Sequence, residues 1–442
     1  MAQIEINVVD ITPIIDNAKF QNIHRLTIFW CAYIIIFDGY DLAVLGVVLP
    51  KLMADWGLTA TQAGLLGSYT LIGMMLGALS LGSLSDKIGK KKVIALCVIT
   101  FSLFTFLCGF TVNAAQFGWC RFIAGIGLGG VMPNVTSLTS EYSPKNKRSL
   151  MVGLMFSGYS IGGMWAAILG IYLIPLMGWQ SIFYVAIFPI LFLPWMLKHL
   201  PESAAFLIKT KQNERLKHAL EKIAPDYIHQ SGTEFVSQSA LGAGPVKMAI
   251  GDLFSNNRML STLMFWLVFF MSLYVIYGMT SWLPKLMLQA GYPLGSSLMF
   301  LFTLHFGTIA GALSSCWLMD KVSGRTVLIA YFLLGSVTIA LLGVQNSMSI
   351  LYLLLIIAGA STIGTQIAMT SYVARFYPST MTSTGLGWGL GIGRIGAILG
   401  PFAGGLLIDM ELTLQQNFMA FALPSLLAAG CMFFVNPRLA AS

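Results

Sequence analysis

Uninterrupted apolar runs of about 20 residues recur along nearly the whole chain, and nothing else in the sequence constrains its fold as strongly. A helix of that length crosses a hydrocarbon core of roughly 30 Å with its backbone amides satisfied within the segment. Charged residues make up 10% of the chain, against about 25% in an ordinary soluble protein. Read against Gly, Pro and charged punctuation, the runs predict spans near 25–50, 60–84, 92–112, 116–140, 149–175 and 178–198. A second set follows near 259–283, 296–319, 326–345, 349–374, 381–408 and 416–436. The expected fold is all-α: a polytopic membrane protein with 12 transmembrane helices in two pseudo-symmetric six-helix bundles.

The placement of basic residues gives the expected topology. With the N-terminus inside, 21 of the 25 Lys and Arg fall on the cytoplasmic side, and only Lys51 and Lys285 fall outside. This is the asymmetry that the positive-inside rule requires, with both termini cytoplasmic. The formal charge of +8 is thereby explained as topology, and no nucleic-acid partner is expected. The first residues include Glu5, Asp10 and Asp16 and lack a basic region followed by a small-residue cleavage site, so no cleavable signal is expected. The six cysteines lie in apolar runs without CxxC or Cys/His spacing and read as small buried hydrophobes. No disulfide, metal site or cofactor is expected.

The expected divisions are a cytoplasmic segment 1–24, a bundle over 25–198, a cytoplasmic linker over 199–258, a bundle over 259–436 and a tail at 437–442. The linker is basic, and FLIKTKQNERLKHALEKI within it suggests short amphipathic helices on a solvated tether. An internal repeat supports the two halves. Asp86-Lys87-Ile88-Gly89-Lys90 in the second loop matches Asp320-Lys321-Val322 through Gly324-Arg325, with one residue inserted. Repeated halves commonly enclose a central site in transporters.

GSLSDKIGKKK, residues 82–92, resembles the loop 2–3 signature of the major facilitator superfamily. In it Gly82 permits close helix approach, Asp86 can pair with loop cations or cap a helix, and Lys87, Gly89 and Lys90 complete the loop. RFIAGIGLGGVMPNVTSLTSEYSPKNKR (121–148) resembles the fourth-helix signature, which implies Glu141 and Arg148 as partners at the cytoplasmic face. With Asp320 and Arg325 these residues form an expected cytoplasmic gate. LPESAAFL (200–207) resembles an element that follows helix 6 in sugar-porter-like members. DGYD (38–41), WLPKLMLQAGY (282–292) and GLGWGLGIGRIGAILGP (385–401) together resemble the aromatic acid:proton symporter family. That resemblance spans essentially the whole chain. It implies a bacterial inner-membrane permease for benzoate, hydroxybenzoates or related acids, working as a monomer with protons as coupling ion.

Five ionisable residues sit inside apolar spans. Counting about 1.5 Å per residue, Asp38, Asp41, Arg121, His305 and Arg394 converge on one layer above mid-membrane, with the two aspartates sharing one span. Each charge would cost about 2.5–3.5 kcal/mol facing lipid, so they are expected to face a central cavity. The i,i+3 spacing of Asp38 and Asp41 puts both carboxylates on one helix face, with Gly39 between them for close backbone approach. An anionic substrate needs a fixed cation. Arg394 is the first candidate because its guanidinium is planar and permanently charged. Arg121 either does the same or pairs with Asp41, and a purely structural pair is the plainer reading. Burial favours a protonated carboxyl and a neighbouring Arg favours a charged one, so Asp41 or Asp38 is expected to carry the coupled proton. His305 contributes to binding or proton relay, or simply packs. Aromatic walls suit an aromatic ring, and Tyr40, Tyr159, Trp165, Tyr274, Tyr277, Trp282 and Trp388 are candidates. GYSIGG (158–163) and GLGWGLGIGRIGAILGP are expected to pack at the moving interface between the halves.

The leading expectation is import of an aromatic carboxylate with protons by alternating access. An efflux antiporter of the same superfamily, or a symporter for another organic acid such as muconate, is the alternative. The fifth span lacks the Gly-Pro element common in such antiporters. No HExxH, paired-histidine or Gly-x-Ser-x-Gly arrangement is present, so enzyme activity is not expected. A channel is disfavoured by the twofold repeat and the absence of a filter-like loop.

Overall fold

The computed structural model describes residues 8–224, 234–236, 250–344, 347–378 and 381–440. Most of the central linker from 225 to 249, parts of the expected N-terminal segment and the last two residues of the tail lie outside the described residues. Twelve helices are long and apolar enough to cross a membrane. The first half holds α1 (Asn22–Trp56), α2 (Ala60–Ile88), α3 (Lys90–Cys108), α4 (Ala114–Glu141), α5 (Arg148–Met177) and α6 (Gln180–His199). The second holds α7 (Met259–Gln289), α8 (Leu294–Lys321), α9 (Gly324–Leu342), α10 (Met348–Phe376), α11 (Thr382–Asp409) and α12 (Leu414–Phe434). These agree with the expected spans to within a few residues, except that α1 and α7 run six residues further at their C-terminal ends. At 35 residues α1 is about 52 Å long, so it projects beyond the hydrocarbon. Two irregularities were not legible in the sequence: a 3-10 turn at Val185–Ile187 in α6 and a π-helical stretch at Ala360–Gly364 in α10.

The halves meet chiefly through α2 with α11, α5 with α8, and α1 with α7. Their contact is uneven along its length. At the end remote from the basic loops, backbones touch: a Cβ on Gly46 would lie 2.2 Å from the Thr280 carbonyl oxygen, and one on Gly64 2.4 Å from that of Pro401. At the basic end, Gly82 of α2, Gly153 of α5, and Gly387 and Gly391 of α11 have open space where a Cβ would stand. On α11, residues 387, 391, 394, 398, 401 and 405 follow helical spacing and so form one stripe. That stripe packs on α2 at the remote end and stands clear of it at the basic end. The molecule is open toward its basic end.

Gly82 supports no close approach, because nothing lies within 4 Å of its Cβ position. The glycines of GLGWGLGIGRIGAILGP pack mostly within their own half: Gly389 and Gly396 fit against Phe269 and the Phe270 backbone of α7. In GYSIGG, Gly158 and Gly162 fit against α1, and only Gly163 meets the other half. The linker is not simply a solvated tether. Its helix Asn213–Ile223 buries Leu216, Leu220 and Ile223 against the first half, with its charges on the opposite face. The N-terminal strand β1 (Val8–Asp10) pairs in parallel with β2 (Glu234–Val236), which ties the described parts of both segments together.

Candidate functional site

The two aspartates of α1 have different surroundings. Asp41 is 1% exposed, and its Oδ1 accepts from Arg121 Nη1 of α4 at 2.8 Å and from Thr105 Oγ1 of α3 at 2.5 Å. Arg121 Nη2 also donates to the Asp41 carbonyl at 3.1 Å. The guanidinium thus spans side chain and backbone of one residue, which fixes the pair rigidly within the first half. Asp38, one turn earlier and fully buried, has no hydrogen-bond donor on either carboxylate oxygen. The charges acting on it are Arg394 of α11, which attracts, and Asp41, which repels. Arg394 is half-buried and forms no ion pair among the described residues; its Nη1 lies 4.0 Å from Met74 Sδ of α2. A buried carboxyl without a donor in the first half is therefore attracted by a guanidinium of the second half that has no carboxylate partner among the described residues.

Tyr159 of α5 completes this cluster. Its hydroxyl lies beside that of Tyr277 of α7 and within the fields of Asp38 and Arg394. Gly39 brings α5 that close, since a Cβ there would stand 2.1 Å from the Tyr159 carbonyl oxygen. His305 of α8 is 1% exposed with both ring nitrogens unpartnered, and its ring packs on Gly163 of α5, where a Cβ would come within 2.6 Å. Asp38 of α1 and Tyr159 of α5 are thus under the influence of Arg394 of α11 in the other half, Tyr159 also of Tyr277 of α7, and His305 of α8 packs on α5 one turn beyond Tyr159. An arginine and two phenol hydroxyls are the donor types that a carboxylate needs.

Other expected site residues lie elsewhere. The Tyr40 hydroxyl donates to the Ile182 carbonyl at 2.7 Å, inside the first half. Trp282 is fully buried and donates from Nε1 to the Pro401 carbonyl at 2.7 Å, joining α7 to α11. Tyr274 packs on Phe421 of α12, and Trp388 lies against Trp266 with 41% of its surface exposed. Trp165 is 49% exposed. Each of these side chains has a packing, hydrogen-bonded or partly exposed place of its own.

The expected gate residues form a network that stays within each half. Lys90 Nζ binds Glu141 Oε2 at 3.0 Å and Ser137 Oγ at 2.6 Å. Glu141 Oε1 accepts from Ser203 Oγ and the Ala205 amide, so the Pro-Glu-Ser element is anchored on α4. Glu202 accepts from the Lys91 amide at 3.1 Å and caps α3. Gly89 is obligatory there: its φ is +98°, and a Cβ would sit 2.6 Å from Glu202 Oε2. Glu141 and Arg148 are not partners of one another, because Arg148 pairs with Asp16 at 2.7 Å. Asp86 is exposed, with its backbone carbonyl taking a bond from Lys209, and Lys87 is exposed beside it. In the second half Asp320 pairs with Arg375 at 3.6 Å and Arg325 binds the Met432 and Phe433 carbonyls that end α12. Sequence reasoning missed Thr105, Glu202 and Asp409. A threonine in an apolar span and a Glu inside a matched motif were visible signals for the first two.

The sequence matches the family model described as Major Facilitator Superfamily over residues 31–315 and 296–442. It is 44% identical to a benzoate transport protein of Acinetobacter baylyi, covering 97% of this chain and 93% of that one. The 4-hydroxybenzoate transporter PcaK of Pseudomonas putida is 34% identical, over 95% of this chain and 94% of its own. A gallate transporter of Pseudomonas putida is also 34% identical, with the same two coverages of 95% and 94%. Among solved structures, the xylose transporter XylE from E. coli in a partially occluded inward-open conformation superposes with a TM-score of 0.74 at 15% identity, covering 93% of this chain and 97% of that one. A bacterial homolog to the human lysosomal transporter Spinster gives 0.74 at 16% identity, over 96% and 100% of the two chains. The chain belongs to the Major Facilitator Superfamily, in the same family as these transporters, and is a multi-pass membrane transporter rather than an enzyme.

Proposed function

We propose that this transporter moves an aromatic carboxylate of the benzoate class into the bacterial cell with protons, by alternating access. Two relatives that align over nearly the whole chain are named for benzoate and 4-hydroxybenzoate transport, and both come from bacteria. The observation that carries the reading is the buried, donor-free Asp38 in one half with the attracting Arg394 in the other. Arg394 binds the substrate carboxylate, with Tyr159, Tyr277 and His305 around the ring. Asp38 takes the coupled proton, because a buried carboxyl without a donor is better held neutral than charged. While Asp38 is charged it competes for the field of Arg394; once neutral it leaves that guanidinium to the substrate. Asp41, held by Arg121 and Thr105, keeps the first half rigid and sets the charge balance around Asp38. The basic end is cytoplasmic in this scheme, so the conformation described is inward-open, and one chain is the working unit.

The test is uptake of labelled benzoate and 4-hydroxybenzoate into proteoliposomes, with and without an inward proton gradient. Wild type accumulates substrate only with the gradient. Asp38→Asn loses accumulation but still exchanges labelled for unlabelled substrate, and Arg394→Ala weakens binding by at least about tenfold through loss of a charge-assisted bidentate contact. Gradient-driven accumulation by Asp38→Asn at the wild-type level would sink the proton assignment.

A further inference from the structure

Asp409, the last residue of α11, reaches across the seam to the first turn of α2. Its Oδ1 accepts from the Ala60 amide at 2.8 Å and its Oδ2 from the Thr61 amide at 2.7 Å. A helix start leaves four amides without intrahelical partners, counting the N-cap residue itself. Here Thr59 and Gln62 satisfy two of them reciprocally: the Thr59 amide donates to Gln62 Oε1 at 3.1 Å and the Gln62 amide to Thr59 Oγ1 at 3.2 Å. The remaining two are those that Asp409 takes. The helix start is therefore complete only when the other half supplies a carboxylate. The start of α12 offers a comparison. It has the same local box from Thr413 and Gln416, yet among the described residues no side chain accepts from the Leu414 or Gln415 amides. The arrangement at α2 is thus more than ordinary capping.

Its position on the seam gives it a consequence. One turn back from Asp409, a Cβ on Gly405 would lie 2.3 Å from the Ala60 carbonyl oxygen, and deeper in the seam Ser68 Oγ donates to the Ile398 carbonyl at 2.6 Å. These contacts close the end remote from the basic loops. We propose that Asp409 is the gating residue of that end: its carboxylate latches α11 to the N-terminus of α2 while the opposite end is open, and it must let go before the transporter can open the other way. A carboxylate at a helix N-terminus binds both the bare amides and the positive end of the helix dipole, so the latch favours the closed remote end strongly enough to bias the cycle. The inference uses the transport fold alone and does not depend on the substrate.

Hydrogen–deuterium exchange on the full-length protein in lipid nanodiscs, without substrate, separates a latch from a local cap. The variants are Asp409→Asn and Gln62→Ala, the second removing a cap supplied from within the same half. A latch predicts that Asp409→Asn speeds exchange over residues 58–66 by about fivefold or more and slows it over residues 76–88, as the basic end closes. Gln62→Ala speeds the first segment and leaves the second unchanged. Asp409→Glu restores much of the wild-type pattern at both ends. If Asp409→Asn alters the first segment alone, or if Gln62→Ala alters both segments equally, Asp409 is a local cap and the proposal is overturned. Loss of benzoate uptake by wild type would contradict the proposed substrate while leaving this exchange pattern intact.

Discussion

Asp38 and Asp41 are three residues apart on one helix, yet they belong to different regions of the molecule. Asp41 looks into the first half, where Arg121 and Thr105 meet its charge with hydrogen bonds. Asp38 looks toward the seam, where no donor reaches it and the attracting charge sits on the other half. Ion pairing inside one rigid bundle survives every stage of a cycle in which the bundles rock. Pairing across the seam cannot, so that is where a carboxyl can respond to conformation and ligand. The difference separates a structural buried charge from a working one.

Stability measurements break or sharpen that contrast. Arg121→Leu leaves the Asp41 carboxylate buried and uncompensated, and should cost about 3–5 kcal/mol in thermal or denaturant unfolding in detergent. Asp38→Asn removes a charge that has no partner, and the same measurement should show little loss or a gain in stability. Equal destabilisation by the two would mean that Asp38 is paired after all. Thr105→Val removes a hydroxyl donated to a charged oxygen and should cost about 1.5–3 kcal/mol, with uptake falling less than in Arg121→Leu. Gly163→Ala should cost less than Thr105→Val, about 1 kcal/mol in unfolding. Its added methyl would stand 2.6 Å from the His305 ring and must push that ring aside. Transport should suffer more than stability in that variant, since α5 and α8 meet there across the seam. Unchanged uptake in Gly163→Ala would remove His305 from the working layer.

Much of this was legible in the residues. The apolar runs and their punctuation locate the twelve helices because a lipid-crossing backbone has few alternatives to the helix. The cost of burying charge singles out Asp38, Asp41, Arg121, His305 and Arg394 for the same reason. Gly39 was readable as a close approach, and the helix contact confirms it. The aromatic residues were less legible. Tyr40 and Trp282 are as apolar and as central in their spans as Tyr159, and only the direction each side chain takes separates a carbonyl-bonded packing residue from one beside Arg394. Glycine-rich runs announce tight packing without naming the partner, and the described glycines of the α11 run with close neighbours pack mostly on α7 and not at the seam.

The loop cluster shows the same limit. Lys90, Glu141, Arg148 and Glu202 stand out as charges in signature segments, but charge alone does not choose among nearby opposite charges. Geometry pairs Glu141 with Lys90 and Arg148 with Asp16. Asp409 is the clearest case. In the sequence it is one acid at the end of an apolar run, unremarked beside the intramembrane aspartates. Its two partners are backbone amides about 350 residues away, and an amide carries no side-chain signature by which a sequence could announce it. Length, hydropathy and the price of buried charge are local properties, so the sequence by itself determined the helices, their number and the residues that could not face lipid. Pairing is a property of relative position, and only the tertiary structure decided which of two neighbouring carboxylates is bonded, which is bare, and which end of the seam is closed.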